Sequence, residues 1–117
     1  MRILVLEDHE EIRFSLELLL QWEGHDVVSF ANGEEALEFL KTGKVDRILM
    51  DWRTPGISGR AFIRAVEEIC LPEDRPQIGV LSGDARAREI APSSGAQFFL
   101  MKPYSPEEIL QGLGCSA

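Results

Sequence analysis

Short apolar runs alternate along this chain with segments in which apolar residues recur every three or four positions. The runs have the length and the β-branched and aromatic content of buried strands, and the intervening segments have helical spacing. Strands are predicted at 2–6, 26–30, 48–50, 78–81 and 98–101. Helices are predicted between Asp8 and Gly24, within 32–43, from 59 to about 69, at roughly 85–91 and at 105–113.

Residues at several helix ends sharpen these predictions. Asp8, followed by Glu11 three residues later, is a capping-box pattern that would open the first helix, and Gly24 would end it. Ser105 would cap the last helix, with Pro106 at its first position. Pro92 should end or bend the fourth helix near the residue before it.

Five strand and helix pairs in succession, joined by short connections, predict an α/β fold. The fold class is a doubly wound, five-stranded parallel sheet with helices on both faces. Because crossovers between parallel strands are right-handed, the natural strand order is 2-1-3-4-5, as in flavodoxin-like folds. We expect residues 1–117 to form a single domain, and the chain either ends at "GLGCSA" or was cut just before a linker.

Composition narrows the choice of partners and compartment. The 117 residues carry a formal charge of −8 with a pI near 4.7, which argues against direct binding to nucleic acid or to an anionic membrane. No apolar run approaches the ~20 residues of a membrane span, and the acidic start does not resemble a signal peptide, so a cytoplasmic location is expected. Cys70 and Cys115 are interpreted as reduced thiols, and His9 and His25 as bystanders.

The predicted topology brings polar residues from the ends of four strands to one edge of the sheet. They are Glu7, Asp8, Asp51, Ser82 and Lys102. Three carboxylates in one cleft repel each other, and a bound hard cation would remove that cost. Oxygen ligands that leave room for water suit Mg²⁺, and the backbone carbonyl of Arg53 could add another oxygen.

With a cation in place, Asp51 becomes a candidate nucleophile toward phosphorus, since carboxylates form aspartyl-phosphate intermediates. Lys102 and the Ser82 hydroxyl would then contact the phosphoryl oxygens. Each residue also has a simpler interpretation: a helix cap, a strand end, a turn residue or a solvated lysine. Their joint position at one sheet edge favours the functional interpretation.

The sequence resembles the receiver domain of bacterial two-component response regulators over essentially its whole length. The resemblance depends on "LVLEDHEEIR", "ILMDWRTPGISG", "VLSGD" and "FFLMKPYS" in this order. It implies that Asp51 accepts a phosphoryl group from the phosphohistidine of a sensor histidine kinase or phosphotransfer protein. It also implies that Mg²⁺, with Mn²⁺ as a substitute, binds Glu7, Asp8, Asp51 and the Arg53 carbonyl.

The resemblance further implies a conformational switch. Ser82 would shift toward the phosphoryl group, Lys102 would pair with it, and Phe99 would turn inward, altering the surface of helix 4, strand 5 and helix 5. A downstream effector or output domain would respond to this change, and we expect no output domain within residues 1–117. Phosphorylation could also lead to homodimerisation, which the resemblance leaves open. The domain would have no enzymatic activity other than its own phosphorylation and slow dephosphorylation.

Four features depart from the common receiver pattern. Thr54 replaces an apolar residue, Gly83 replaces alanine, and Phe99 replaces tyrosine. The segment between Ser82 and Lys102 is slightly short and contains Pro92, which bears on the helix 4 surface. None of these changes removes a group proposed to act on phosphorus.

Three other functions are alternatives for a chain with this pattern. An aspartate-nucleophile phosphatase needs a second aspartate two residues after the nucleophile, where this chain has Arg53. A flavin carrier needs a hydroxyl-rich phosphate loop after the first strand, where "EDHEE" would repel phosphate. A phosphorylation-independent pseudo-receiver is the stronger alternative, and retention of all the acidic, hydroxyl and lysine groups argues against it.

Overall fold

The computed structural model describes residues 1–90 and 95–114. Five strands are present in this part of the chain: β1 (Arg2–Leu6), β2 (Asp26–Phe30), β3 (Arg47–Asp51), β4 (Gln77–Ser82) and β5 (Phe98–Met101). The helices there are α1 (Glu10–Trp22), α2 (Gly33–Leu40), α3 (Gly59–Ile69), α4 (Ala85–Ile90) and α5 (Pro106–Leu113), with a 3₁₀ turn at Pro72–Asp74. The predicted alternation of strands and helices is therefore confirmed.

The strands form one parallel sheet in the order β2-β1-β3-β4-β5, which confirms the predicted order. The register pairs Leu6 with Met50 and Asp51 with Leu81. Ser82, the next residue of β4, pairs with Met101 of β5. The carboxyl ends of four strands consequently lie side by side.

Alternate residues of the strands supply two cores, one on each face of the sheet. On β1, Leu4 and Leu6 face a cluster completed by α2 and α3, whereas Ile3 and Val5 face a cluster completed by α1 and α5. All four side chains are fully buried. Because both faces are covered, the strands are apolar throughout, as expected for a parallel sheet.

The capping box predicted for the first helix is wrong. His9, not Asp8, is the N-cap residue of α1, and no side chain there accepts a capping hydrogen bond. The His9 amide instead donates to the Glu7 carboxylate at 3.2 Å. Glu10 and Glu11 both lie in the first turn, where negative charge is favourable. The predicted end is close, since α1 ends at Trp22 and Gly24 follows with φ +90°.

The cap predicted for the last helix is confirmed. The Ser105 hydroxyl accepts from the Glu108 amide at 3.2 Å, and the Glu108 carboxylate accepts from the Ser105 amide at 3.0 Å, which completes a capping box. Pro106 opens α5 as predicted. The helix predicted at 85–91 is described as far as Ile90, and Pro92 lies outside the described residues.

Two further findings bear on the predictions from composition. No helix within 1–90 or 95–114 is long and apolar enough to cross a membrane. Cys70 is a half-buried free thiol, whereas Cys115 lies outside the described residues.

Candidate functional site

Three carboxylates meet at the carboxyl ends of β1 and β3. Glu7 and Asp8 directly follow β1, and Asp51 is the last residue of β3. One oxygen from each carboxylate lies within 4.8 Å of the others. Glu7 and Asp51 are buried, at 2% and 8% exposure, while Asp8 is exposed. The acidic cluster predicted from the sequence therefore forms.

One oxygen of the Glu7 side chain finds no hydrogen-bond donor among the described residues. Its Oε1 accepts from the His9 amide, while Oε2 is buried without a hydrogen bond among the described residues. The main chain of Glu7 is fixed on both sides, because its amide donates to the Phe30 carbonyl and its carbonyl accepts from Arg13. A buried polar atom without a partner is costly, and a hard cation bound between the carboxylates would satisfy it.

Electrostatics at Glu7 point the same way. Burial, together with the adjacent Asp51 carboxylate, raises the pKa of Glu7 to about 7, although Lys102 and the His9 amide partly oppose this. Without a cation, the Glu7 carboxyl is therefore partly protonated at neutral pH. A divalent ion would favour its ionised form, so the donor set fits a cation such as Mg²⁺.

The Asp51 carboxylate is held from two sides. The Lys102 ammonium donates to Oδ2 at 3.0 Å, and the Arg53 amide donates to Oδ1 at 3.1 Å. Burial alone would lower the pKa of Lys102, but the Asp51 and Glu7 carboxylates outweigh burial and raise that pKa. Lys102 consequently remains a cation next to the carboxylate.

Ser82 and Lys102 reach the same edge through the backbone of β4 and β5. The Lys102 amide donates to the Ser82 carbonyl at 2.9 Å, which continues the pairing of the two strands beyond Met101. The Ser82 side chain is buried, and its hydroxyl oxygen accepts from the Asp84 amide at 3.0 Å. The structure thus brings Ser82 and Lys102 to the edge that contains the acidic cluster.

Three other residues named in the sequence analysis, Phe99, Arg53 and Thr54, have a less direct relation to the acidic cluster. Phe99 is half-buried on β5 and packs against the core on the α2 and α3 face. The metal contact predicted for the Arg53 carbonyl stays a prediction. Thr54, one of the departures from the receiver pattern, has a buried hydroxyl without a hydrogen-bond partner among the described residues.

Sequence reasoning missed an ion pair beside the site. The Arg53 guanidinium binds the Asp84 carboxylate, joining the loops that follow β3 and β4. A hydrogen bond from the Arg86 amide lowers the pKa of Asp84, and Arg53 lowers it further. The signal was present in the spacing, because these residues come two positions after Asp51 and Ser82, at the ends of neighbouring strands.

A parallel 2-1-3-4-5 sheet with an acidic cluster, a lysine and a hydroxyl at its carboxyl edge is the arrangement of a receiver-type fold. The sequence profile of the response regulator receiver domain matches residues 3–113. The chain therefore belongs to this family, whose members act in two-component signalling.

Individual relatives agree with this assignment. The chain is 32% identical over 110 residues to the phosphate regulon transcriptional regulatory protein PhoB of Escherichia coli (strain K12). The aligned region covers 93% of this chain and 48% of PhoB. The chain thus spans about half the length of these curated relatives.

Solved structures show the same fold. The chemotaxis protein CheY4 of Vibrio cholerae superimposes with a TM-score of 0.86 at 28% identity, covering 97% of this chain and 95% of that one. The receiver domain of sensor histidine kinase PA1611 from Pseudomonas aeruginosa gives 0.84 at 28% identity, covering 96% and 93%. In that structure, a magnesium ion is coordinated in the active site cleft.

Proposed function

We propose that Asp51 of this receiver domain accepts a phosphoryl group from the phosphohistidine of a sensor histidine kinase or phosphotransfer protein. An Asp51 carboxylate oxygen forms a bond to phosphorus as the bond from phosphorus to the histidine nitrogen breaks. The nitrogen keeps the bonding electron pair and takes up a proton, so the partner is left with neutral histidine. The observation that carries the proposal is the Asp51 carboxylate, bound by Lys102 at 3.0 Å within an acidic cluster.

The residues that would hold Mg²⁺ are Glu7, Asp8, Asp51 and the Arg53 backbone carbonyl. The buried Oε2 of Glu7, which has no hydrogen-bond donor within the described part of the chain, supports this ligand set, as does the magnesium ion in the related PA1611 receiver. When bound, the ion supplies positive charge that offsets the charge on the transferring group. Mn²⁺ also accepts such oxygen ligands and should substitute for Mg²⁺.

After transfer, we propose that Lys102 and the Ser82 hydroxyl contact the phosphoryl oxygens. The added charge of roughly −1.5 to −2 is sufficient to bias a two-state element through charge-assisted hydrogen bonds. Inward movement of Phe99 would carry that change to the surface of α4, β5 and α5. Beyond phosphoryl uptake from small donors and slow hydrolysis of the product, no enzymatic activity is proposed.

Residues 1–117 are proposed to act as one receiver unit in the cytoplasm. PhoB, which is about twice as long as the matched region, is described as a transcriptional regulatory protein. By analogy, we propose that this receiver controls an output domain or a separate effector, with pairing of two phosphorylated copies as one way to do so.

Incubation with Mg²⁺ and a small phosphodonor, followed by intact-mass measurement, tests this function. We expect wild type to gain one phosphoryl group, and we expect neither Asp51→Asn nor metal-depleted wild type to gain it. Slow loss of the added mass after donor removal would report self-dephosphorylation. Absence of the adduct on wild type would favour the pseudo-receiver, and an adduct that persists in Asp51→Asn would move the acceptor elsewhere.

A further inference from the structure

One ion pair lies beside the Asp51 site. Arg53 lies in the loop after β3 and Asp84 in the loop after β4, and these two strands are neighbours in the sheet. The Arg53 side chain is 74% exposed, whereas that of Asp84 is 26% exposed. The pair therefore joins a solvent-exposed cation on a long side chain to a more buried anion.

On the side of the phosphoacceptor, Arg53 is anchored by its backbone. Its amide donates to Asp51 Oδ1 at 3.1 Å, so the side chain starts next to the reacting carboxylate. The guanidinium itself is in solvent and can change direction without disturbing the core. Arginine also binds two phosphoryl oxygens at once, a geometry that suits it to an acyl phosphate.

On the other side, Asp84 organises the start of α4. Its Oδ1 accepts from the Arg86 amide at 2.9 Å, while Oδ2 is the atom that contacts Arg53. The Asp84 amide also donates to the Ser82 hydroxyl oxygen at 3.0 Å. One aspartate thus connects the cation near Asp51, the predicted switch hydroxyl and the first turn of α4.

We propose that Arg53 is a positioning residue that exchanges partners, binding Asp84 when Asp51 is unmodified and the phosphoryl group once Asp51 is phosphorylated. This inference rests on the phosphoacceptor function proposed above. Exposed ion pairs are weak, and a group with a charge near −2 competes well against a single carboxylate. Asp84 then loses its counter-charge and is repelled by the phosphoryl group, which loosens its bond to Ser82 and the start of α4.

Hydrogen exchange of the backbone amides in residues 84–90 reports the state of this turn. In the unmodified protein, we expect Arg53→Ala to exchange about two- to fivefold faster than wild type, because Asp84 is no longer held. Arg53→Lys should recover part of the protection. Asp84→Asn should also exchange faster than wild type, because it loses the ion pair with Arg53, but by less than Arg53→Ala, because its amide oxygen can still accept from Arg86 and from Arg53. Arg64→Ala, which removes an exposed arginine of α3, is the matched control for charge.

The same peptides are then measured after phosphorylation, with intact mass recorded for each sample. Wild type and Arg64→Ala should exchange about two- to fivefold faster on phosphorylation. Arg53→Ala should show a smaller increase than wild type, since its Asp84 has no counter-charge left to lose and responds only to repulsion. Asp84→Asn should show no increase, since it lacks the charge that is repelled.

The outcomes separate this inference from the function beneath it. If wild type gains the phosphoryl group but Arg53→Ala matches wild type in both states, the partner exchange is wrong and the phosphoacceptor function stands. An acceleration in phosphorylated Asp84→Asn equal to that of wild type also contradicts the exchange. If wild type gains no phosphoryl group, the proposed function fails and the exchange of partners fails with it.

Discussion

At the residue scale, the protonation of Glu7 is coupled to folding. Its pKa is raised from 4.5 to about 7 in the folded, metal-free protein, mainly by burial. Between these two pH values the folded state holds a proton on Glu7 that the unfolded state has lost. The contribution of Glu7 to stability is therefore present below about pH 4.5 and is lost as the pH rises through about 7.

We predict that Mg²⁺ stabilises the protein more above about pH 7 than near pH 4.5, because the ion must displace that proton at the lower pH. The difference should reach up to about 3 kcal/mol, at ~1.4 kcal/mol for each unit of pKa shift. Thermal melts with and without Mg²⁺ across this pH range measure it. Glu7→Gln is the control and should show a smaller, flatter response; an unchanged response in this variant would remove Glu7 from the ligand set.

Lys102 provides the second prediction at this scale. Lys102→Ala leaves the buried Asp51 carboxylate beside Glu7 without its ammonium partner. We expect the metal-free variant to lose about 1–3 kcal/mol of unfolding free energy, and Mg²⁺ to restore much of it. Urea denaturation with and without Mg²⁺ measures both values.

Lys41→Ala is the matched control for that measurement. Its ion pair with Glu38 is exposed, at 58% and 75% for the two side chains, so its loss should cost under about 0.5 kcal/mol in either condition. Equal losses in the two lysine variants would mean that the ammonium at the site does not offset the buried carboxylates.

At the element scale, α1 has apolar residues on both its buried and its outer side. Leu16 and Leu20 pack into the core, whereas Phe14, Leu18 and Trp22 are exposed. We predict that Leu20→Ala, at a fully buried site, costs about 2–5 kcal/mol. Leu18→Ala, on the same helix at 51% exposure, should cost under about 1 kcal/mol. Urea denaturation compares them, and similar costs would contradict the assigned orientation of α1.

The packing of β5 against β4 and α5 depends on two glycines. The Phe98 ring fills the space beside Gly79 and Gly112, and a Cβ on Gly79 would lie 1.9 Å from the ring. We predict that Gly79→Ala costs about 1–3 kcal/mol, because the Phe98 ring must leave the space that it fills beside Gly79 and Gly112. Gly83→Ala is the control, since its Cβ would meet no closer atom than Lys102 Cβ at 4.0 Å. Thermal melts of both variants test this prediction, and an unchanged melting temperature for Gly79→Ala would count against this packing.

At the scale of the whole molecule, periodicity and turn residues were sufficient to predict the strands, their order and the edge where the site lies. Asp51 and Lys102 could be placed together because all strands of a parallel sheet end on the same side. The cap of α1 could not be predicted, because the helix begins one residue later than the spacing indicates, with His9 as its N-cap. The pair of Arg53 with Asp84 depends on side-chain direction across two loops, which sequence position alone leaves open.

The two cores share a single sheet, and this predicts how the molecule unfolds. Leu4 and Val5 are neighbours on β1 but belong to opposite clusters, so neither face can lose its helices without exposing strands that the other face needs. We therefore expect one cooperative transition. Trp52 packs over Gly59 on the α2 and α3 face and reports that side.

Trp22→Phe makes Trp52 the only tryptophan, and at 89% exposure this change should cost little. In that background, Leu20→Ala weakens only the α1 and α5 face. If the sheet couples both faces, the urea midpoint from Trp52 fluorescence should fall by the same amount as the midpoint from circular dichroism. A Trp52 midpoint that stays in place while the circular dichroism midpoint falls would mean that the two faces unfold separately, and that a change at one face need not reach the other.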